Sequence, residues 1–182
     1  MIPPLFRRPD PTIAALYGAI VTQARDPGFY ADFGVPDTVL GRFDLIILHL
    51  ALLLRRLRAG DEPGRASAQS VFDTFCRDMD HNLREMGIGD QGVPHQMRRV
   101  GEAFYGRAQA YDTALGQAGN DALIEALTRN VYAEAREGAV AARRLAAYVR
   151  HAADHLEAQA LDRLLSGVVS FPESAALASA SE

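Results

Sequence analysis

The chain has 182 residues, 48% hydrophobic and 23% charged, which gives enough apolar side chain for one globular core and excludes a disordered protein. The formal net charge is -4 and every basic side chain is arginine, with no basic face that would favour binding to nucleic acid. The one cysteine, Cys76, excludes an intramolecular disulfide and a cysteine-only zinc site.

The two ends of the chain are predicted to lie outside the folded unit. Residues 1–10 are interpreted as an N-terminal extension, residues 11–169 as one helical domain, and residues 170–182, rich in serine and alanine, as a disordered tail. The stretch from Met1 to Arg8 lacks the apolar core of a secretory signal. We therefore expect a cytoplasmic protein, and a position peripheral to the inner membrane stays open.

Glycine and proline interrupt a chain that otherwise has helical periodicity, and no segment alternates convincingly as a strand would. The first helix is predicted from Thr12 to about Arg25, where an Asp-Pro-Gly sequence ends it, and residues 29–41 are interpreted as an irregular connection. These features predict an all-α, single-domain bundle of about six helices with short connections rich in glycine and proline.

The second predicted helix begins near Asp44 and ends at the turn-rich residues 60–64. Its stretch from Leu45 to Leu54 is apolar nearly all round except for His49. At about 15–18 Å it is too short for a hydrocarbon core of ~30 Å, so we interpret it as a central buried helix. A helix that contacts a membrane surface or a partner is the alternative, although the acidic balance and the lack of lysine argue against strong attraction to anionic lipids.

The third predicted helix starts near Ser67 and ends at Gly87, which suits the left-handed C-terminal position. One of its faces is apolar and the opposite face carries charged pairs at i,i+4 spacing, which stabilise a helix by ~0.2–0.5 kcal/mol each. The apolar positions are Ala68, Phe72, Phe75, Met79, Leu83 and Met86, and the pairs are Asp73 with Arg77, Asp80 with Arg84 and His81 with Glu85.

The fourth predicted helix begins near Pro94 and can pack antiparallel to the third. Residues 116–120 break the chain, a shorter helix starts at Asp121, and a last helix rich in alanine extends from Ala139 to about Leu165. The apolar stripe of the fourth helix consists of Met97, Val100, Phe104, Ala108, Tyr111 and Leu115.

Short motifs between residues 29 and 115 are the most informative part of the sequence. They are Phe29-Tyr-Ala-Asp-Phe-Gly-Val-Pro-Asp37, Gly41-Arg-Phe-Asp-Leu45, Leu83-Arg-Glu-Met-Gly-Ile-Gly-Asp90, and Ala103-Phe-Tyr-Gly-Arg107 with Ala110-Tyr-Asp112. With them the chain resembles the ubiquinol–cytochrome c chaperone family, whose members assist assembly of the cytochrome bc1 complex. The resemblance implies a non-enzymatic helical chaperone without a cofactor. Its implied client is cytochrome b or another bc1 subunit, and contact with the ribosome or a small co-chaperone stays open.

Polar and aromatic side chains crowd the third helix, the turn and the fourth helix, and they are the candidate partner-binding residues. Tyrosine and arginine are the types that most often anchor protein interfaces. From the residues alone, an internal lock of the helical hairpin is equally open. The resemblance favours an interface, with a groove bordered by residues 45–54 and 84–111 that holds an apolar or amphipathic client segment. The candidates are Arg84, Glu85, Asp90, Arg98, Arg99, Glu102, Tyr105, Arg107 and Tyr111.

Two groups of residues raise the alternative of a metal- or cofactor-dependent helical-bundle enzyme. His151 and His155 share a helix face at i,i+4, but no third ligand is obvious. Asp78 and Asp80 point about 200° apart on a straight helix and cannot chelate one ion together with their neighbours His81 and Glu85. We interpret this second group as solvated ion pairs, and we expect no metal, no cofactor and no enzyme activity.

Overall fold

The computed structural model describes residues 10–133 and 138–174, which form eight helices and no strand. Six of these helices have ten residues or more, so the prediction of an all-α bundle of about six helices is confirmed. The helices are α1 (Pro11–Ala24), α2 (Gly28–Ala31), α3 (Val39–Arg58), α4 (Glu62–Glu85), α5 (Val93–Leu115), α6 (Asp121–Asn130), α7 (Gly138–Ala158) and α8 (Leu161–Leu165).

Helix α3 lies at the centre of the bundle and packs against α1, α4, α5 and α7. Its residues from Leu45 to Leu54, except for the half-buried Ile46, are fully or almost fully buried, which confirms the interpretation of this stretch as a core helix. In the part of the chain that the structure describes, no helix combines the length and the apolarity that crossing a membrane requires.

Several predicted helix boundaries were wrong, because side-chain caps start helices earlier than the apolar periodicity does. α3 begins at Val39 instead of Asp44, since the Thr38 hydroxyl accepts a hydrogen bond from the Gly41 amide at 3.1 Å. α4 begins at Glu62 instead of Ser67, since Asp61 caps the Gly64 amide. Helix α2 overlaps the start of the predicted irregular connection, and the last predicted helix is divided into α7 and α8.

Contacts along α3 show that α4 is antiparallel to it. Near the end of α3, Gly64 in the first turn of α4 packs on the Leu57 carbonyl with no room for a side chain. Further along α4, the ring of Phe75 stacks on Phe43 near the start of α3, with 6.5 Å between ring centroids. Helix α5 then returns along α4, and the rings of Phe72 and Phe104 lie 4.8 Å apart.

Helix α7 is parallel to α3. Arg144, near the start of α7, donates a hydrogen bond to the Asp32 carbonyl, which precedes α3, and Arg56, near the end of α3, donates to the Leu156 carbonyl near the end of α7, both at 3.0 Å. We call the end of the bundle where α3 and α7 begin the upper end, and the opposite end the lower end.

Residues 170–174, which belong to the predicted tail, pack against the bundle. The ring of Phe171 meets the His49 imidazole edge to face at 5.2 Å, and the Ser174 hydroxyl donates to Asp26 at 2.7 Å. Gln23 donates to the Pro172 carbonyl at 3.0 Å. Most of the predicted N-terminal extension and the rest of the predicted tail lie outside the described residues.

Candidate functional site

The structure does not bring the nine candidate partner-binding residues to one surface. Arg84 and Asp90 close the turn between α4 and α5, and Glu85 pairs with His81 on the exposed side of α4. Arg98, Glu102 and Tyr105 form an exposed stripe along α5, while Arg99 is exposed elsewhere on the same helix. The last two, Arg107 and Tyr111, turn inwards.

Arg84 acts within the α4–α5 turn. Its guanidinium donates to Asp80 at 2.7 Å and also pairs with Asp90 across the turn. Gly87 has φ +84°, the left-handed conformation predicted for the end of this helix. These contacts correspond to the internal lock that the sequence left open, and they leave the Arg84 guanidinium already paired with two carboxylates.

Arg107 and Tyr111 belong to a buried polar cluster with Asp44 of α3. The Arg107 guanidinium lies 2.9 Å from the carboxylate of Asp44, which is 6% exposed, and Tyr111 is 1% exposed. Burial raises the pKa of Asp44 to about 6, although the charge of Arg107 and its hydrogen bond act in the opposite direction. This ion pair connects α3 and α5, and it uses the charge of Arg107 within the bundle.

Tyr105 is the candidate residue that combines exposure with a fixed position. Its ring packs against Phe72 of α4 at 5.6 Å and against Phe104 at 5.3 Å, yet 57% of the residue remains exposed. Arg98 and Glu102, on the same face of α5, form only a loose and exposed pair at 3.6 Å. The exposed stripe of α5 therefore presents one anchored aromatic ring.

This ring borders a groove of about 830 Å³ between the last turns of α3 and α7 and the middle of α5. Alanine side chains in its lining allow close approach of another chain, and charged side chains surround them. The lining residues are Ala51, Arg55, Arg56, Arg58, Ala59, Tyr105, Ala108, Gln109, Asp112 and Glu157.

The three arginines of the groove differ in how far they are already paired. Arg55 bridges α5 and α7 through ion pairs with Asp112, at 2.9 Å, and with Glu157. Arg56 donates to two carbonyl groups at the end of α7. Arg58 is exposed and has no carboxylate partner within residues 10–133 and 138–174, so its charge is available to a bound segment.

The groove walls predicted from the sequence include Ala51, Tyr105, Ala108 and Gln109, but they miss the lining residues at the ends of α3 and α7. In the sequence, the basic run of Arg55, Arg56 and Arg58 is explained without a groove, because cations at a helix C-terminus offset the exposed carbonyl groups. Nothing in the sequence pairs Arg55 with Glu157, because the two residues lie 102 positions apart in the chain and no periodic signal links them. The predicted groove walls at residues 45–54 and 84–111 therefore overlap the observed groove only in part.

The candidate metal ligands do not assemble into a site. The rings of His151 and His155 stack at 6.5 Å between centroids, and His155 hydrogen-bonds with Ser170 at 3.0 Å. On α4, Asp78 accepts a hydrogen bond from the Tyr17 hydroxyl at 2.7 Å, whereas Asp80 pairs with Arg84. Among the described residues, no three histidine, cysteine or carboxylate side chains are placed to hold an ion.

Comparisons with known proteins agree on one family. A family model described as ubiquinol-cytochrome C chaperone matches residues 31–171. A solved structure, described as the crystal structure of the Cbp3 homolog from Brucella abortus, is similar with a TM-score of 0.83 and 40% sequence identity. The similarity covers 96% of this chain and 98% of that chain. No curated protein matches.

Proposed function

The chain belongs to the ubiquinol-cytochrome C chaperone family, and on that premise we propose that it is a non-enzymatic assembly factor for the cytochrome bc1 complex. Its client is newly made cytochrome b or another membrane subunit of that complex. The protein holds an apolar or amphipathic segment of the client until the segment is passed on.

The groove beside Tyr105 is the observation that supports this proposal. A helical segment needs a groove wide enough for its backbone and an anchor for its larger side chains. The alanines between α3 and α5 supply the space, and the ring of Tyr105, held against Phe72, supplies the anchor. The guanidinium of Arg58, which has no carboxylate partner in the described part of the chain, favours a client segment that carries a carboxylate.

Site-specific photocrosslinking tests this proposal. A photoreactive amino acid replaces Gln109, an exposed residue of the groove, in the protein expressed in its native cell, and captured proteins are identified by mass spectrometry. We expect cytochrome b or another bc1 subunit among them. The matched control carries the same amino acid at Thr22, which is exposed on α1 outside the groove.

Spectra of haem b in a deletion strain provide the functional measurement. The bc1 signal should be lost without the protein, restored by the wild-type chain and restored less by a Tyr105→Asp variant that folds normally. Unchanged haem b spectra, together with equal capture at Gln109 and Thr22 or no bc1 subunit captured, would refute the proposal.

A further inference from the structure

Exposed apolar side chains concentrate at the upper end of the bundle. Six large hydrophobic residues are exposed in the part of the chain that the structure describes, and four of them lie at this end. The four are Val39 at 76%, Leu40 and Met86 at 68%, and Val140 at 56%; the other two are Tyr105 in the groove and Val168 near the lower end.

The pair Val39 and Leu40 is held in place instead of belonging to a loose loop. Thr38 caps the first turn of α3 through the Gly41 amide, and Gly41 packs so tightly on the Pro36 carbonyl that no side chain fits there. Phe43, one turn further along, is half-buried on the same side of α3 and stacks on Phe75. The two aliphatic side chains therefore project from a capped helical turn, and no residue among 10–133 and 138–174 covers them.

The apolar positions at this end belong to a surface that continues across α2. Val140 and Arg144 of α7 lie beside residues 31–34, and Ala31 also borders a hollow of about 510 Å³ that contains Arg25 and Arg42. The surface thus joins the starts of α3 and α7 and contains isolated aliphatic side chains, guanidinium groups and the carboxylates of Asp32 and Asp37.

Two guanidinium groups of this surface can contact anionic groups, although the exposed carboxylates of Asp32 and Asp37 lie in the same surface. Arg25 and Arg144 have no carboxylate partner among residues 10–133 and 138–174, although Arg144 donates to the Asp32 carbonyl. Arg42 lies over the ring of Tyr30 at 5.9 Å and pairs with Asp37. Arginine and tyrosine beside exposed aliphatic residues are the combination found where proteins meet lipid headgroups.

We propose that the upper end of the bundle rests on an anionic lipid bilayer, with Val39 and Leu40 entering the headgroup region and Arg25 and Arg144 contacting lipid phosphates. A flat, deformable lipid surface accommodates single aliphatic side chains on separate helices, whereas a partner helix would require a continuous groove. Because the net charge of the chain is -4, apolar insertion contributes more to binding than long-range attraction does.

Vesicle flotation of the purified full chain tests the proposal, with vesicles of phosphatidylglycerol and phosphatidylcholine. The Val39→Ser/Leu40→Ser variant should bind at least about tenfold more weakly, since each lost aliphatic side chain corresponds to roughly tenfold in partitioning. Val168→Ser is the matched control, because Val168 is also an exposed aliphatic residue but follows α8 near the lower end, and it should bind like the wild type.

A second variant keeps the test informative if the serine substitutions disturb folding. Arg25→Gln changes an exposed guanidinium without touching the core and should weaken binding to the anionic vesicles but not to vesicles of phosphatidylcholine alone. Absence of vesicle binding, or equal binding by the wild type and by a folded Val39→Ser/Leu40→Ser variant, would overturn the proposal and leave this end as a protein-binding surface. The measurement needs no client, so its outcome is independent of the proposed chaperone function.

Discussion

The carboxyl group of Asp44 and the imidazole of His49 lie one turn and a half apart in α3 and respond to acid in opposite senses. Burial raises the pKa of Asp44 to about 6, so its ionised form destabilises the folded state at neutral pH and stability is gained as the pH falls from about 6 towards 4. Burial lowers the pKa of His49 from 6.5 to about 4, so stability is lost as the pH falls from 6.5 towards 4. The two effects largely cancel in the wild type.

Asp44→Asn should therefore expose the acid sensitivity that comes from His49. With the compensating carboxyl group removed, the free energy of unfolding should fall by about 2 kcal/mol between pH 7.5 and pH 5, which is roughly 1 kcal/mol more than the net change expected from this pair in the wild type. Urea denaturation at the two pH values measures this difference. A His49→Gln variant should show the reverse trend and become more stable as the pH falls. Parallel pH dependence of the wild type and Asp44→Asn would contradict the assignment.

Arg98 and Arg107 were both expected from the sequence to be interface residues, and the structure separates them. Arg98 has a side chain that is 69% exposed and a loose partner, so Arg98→Glu should change the free energy of unfolding by less than about 0.5 kcal/mol. Arg107→Glu places a second carboxylate beside the buried Asp44 and should cost about 3–5 kcal/mol. Thermal denaturation followed by circular dichroism compares the two, and equal melting temperatures would show that the Asp44–Arg107 pair contributes little.

At the scale of elements, hydrogen bonds through buried side chains connect α1, α7 and α3. The Leu45 carbonyl can only accept, so Nδ1 of His49 carries the hydrogen and donates to it at 2.8 Å. Nε2 of the neutral ring must then accept from the Tyr148 hydroxyl at 2.9 Å, and that hydroxyl accepts from Gln23 at 3.2 Å. Each hydrogen-bond donor in this network therefore has an acceptor.

Removing the hydroxyl of Tyr148 leaves the imidazole nitrogen of His49 buried without a donor. Tyr148→Phe should therefore lower the free energy of unfolding by about 1–3 kcal/mol, measured by urea denaturation at pH 7.5. Tyr30→Phe is the control, because its hydroxyl also donates to a neighbour, the Ala24 carbonyl, but lies where water can replace the lost contact. If Tyr148→Phe lowers the free energy of unfolding no more than Tyr30→Phe does, the buried hydrogen bond to His49 contributes no more to stability than a water-accessible one.

The helices themselves could be predicted because their apolar periodicity reports directly on packing, whereas their starts could not. The stretch Asp61-Glu-Pro-Gly64 has the composition of a turn, but Asp61 caps the following amides and proline suits a first helical turn. The candidate site depended even more on tertiary packing. Tyr105 and Tyr111 are the same residue type on one helix, and only their angular positions, about 120° apart around the helix axis, decide that one borders the groove and the other is buried.

At the scale of the whole molecule, α3 connects the two surfaces that we assign. Val39 begins the helix at the upper end and Arg58 ends it beside the groove, a separation of about 30 Å for a helix of this length. Charges at this distance are screened from each other at physiological ionic strength. The core helix therefore separates the proposed lipid-contacting end from the proposed client-binding groove without coupling their binding energies directly.

This arrangement predicts that client binding and vesicle binding can be lost separately, each through substitutions in its own surface. Tyr105→Asp should abolish most crosslinking of bc1 subunits from position 109 while vesicle flotation stays as in the wild type. Val39→Ser/Leu40→Ser should lose flotation but still capture a soluble peptide of the client segment from position 109, because that reaction needs no membrane. Substitutions more than about 7–10 Å apart without shared partners combine additively, so the combined variant should show both losses and nothing more. Loss of peptide capture in a folded Val39→Ser/Leu40→Ser variant would instead show that α3 couples its two ends.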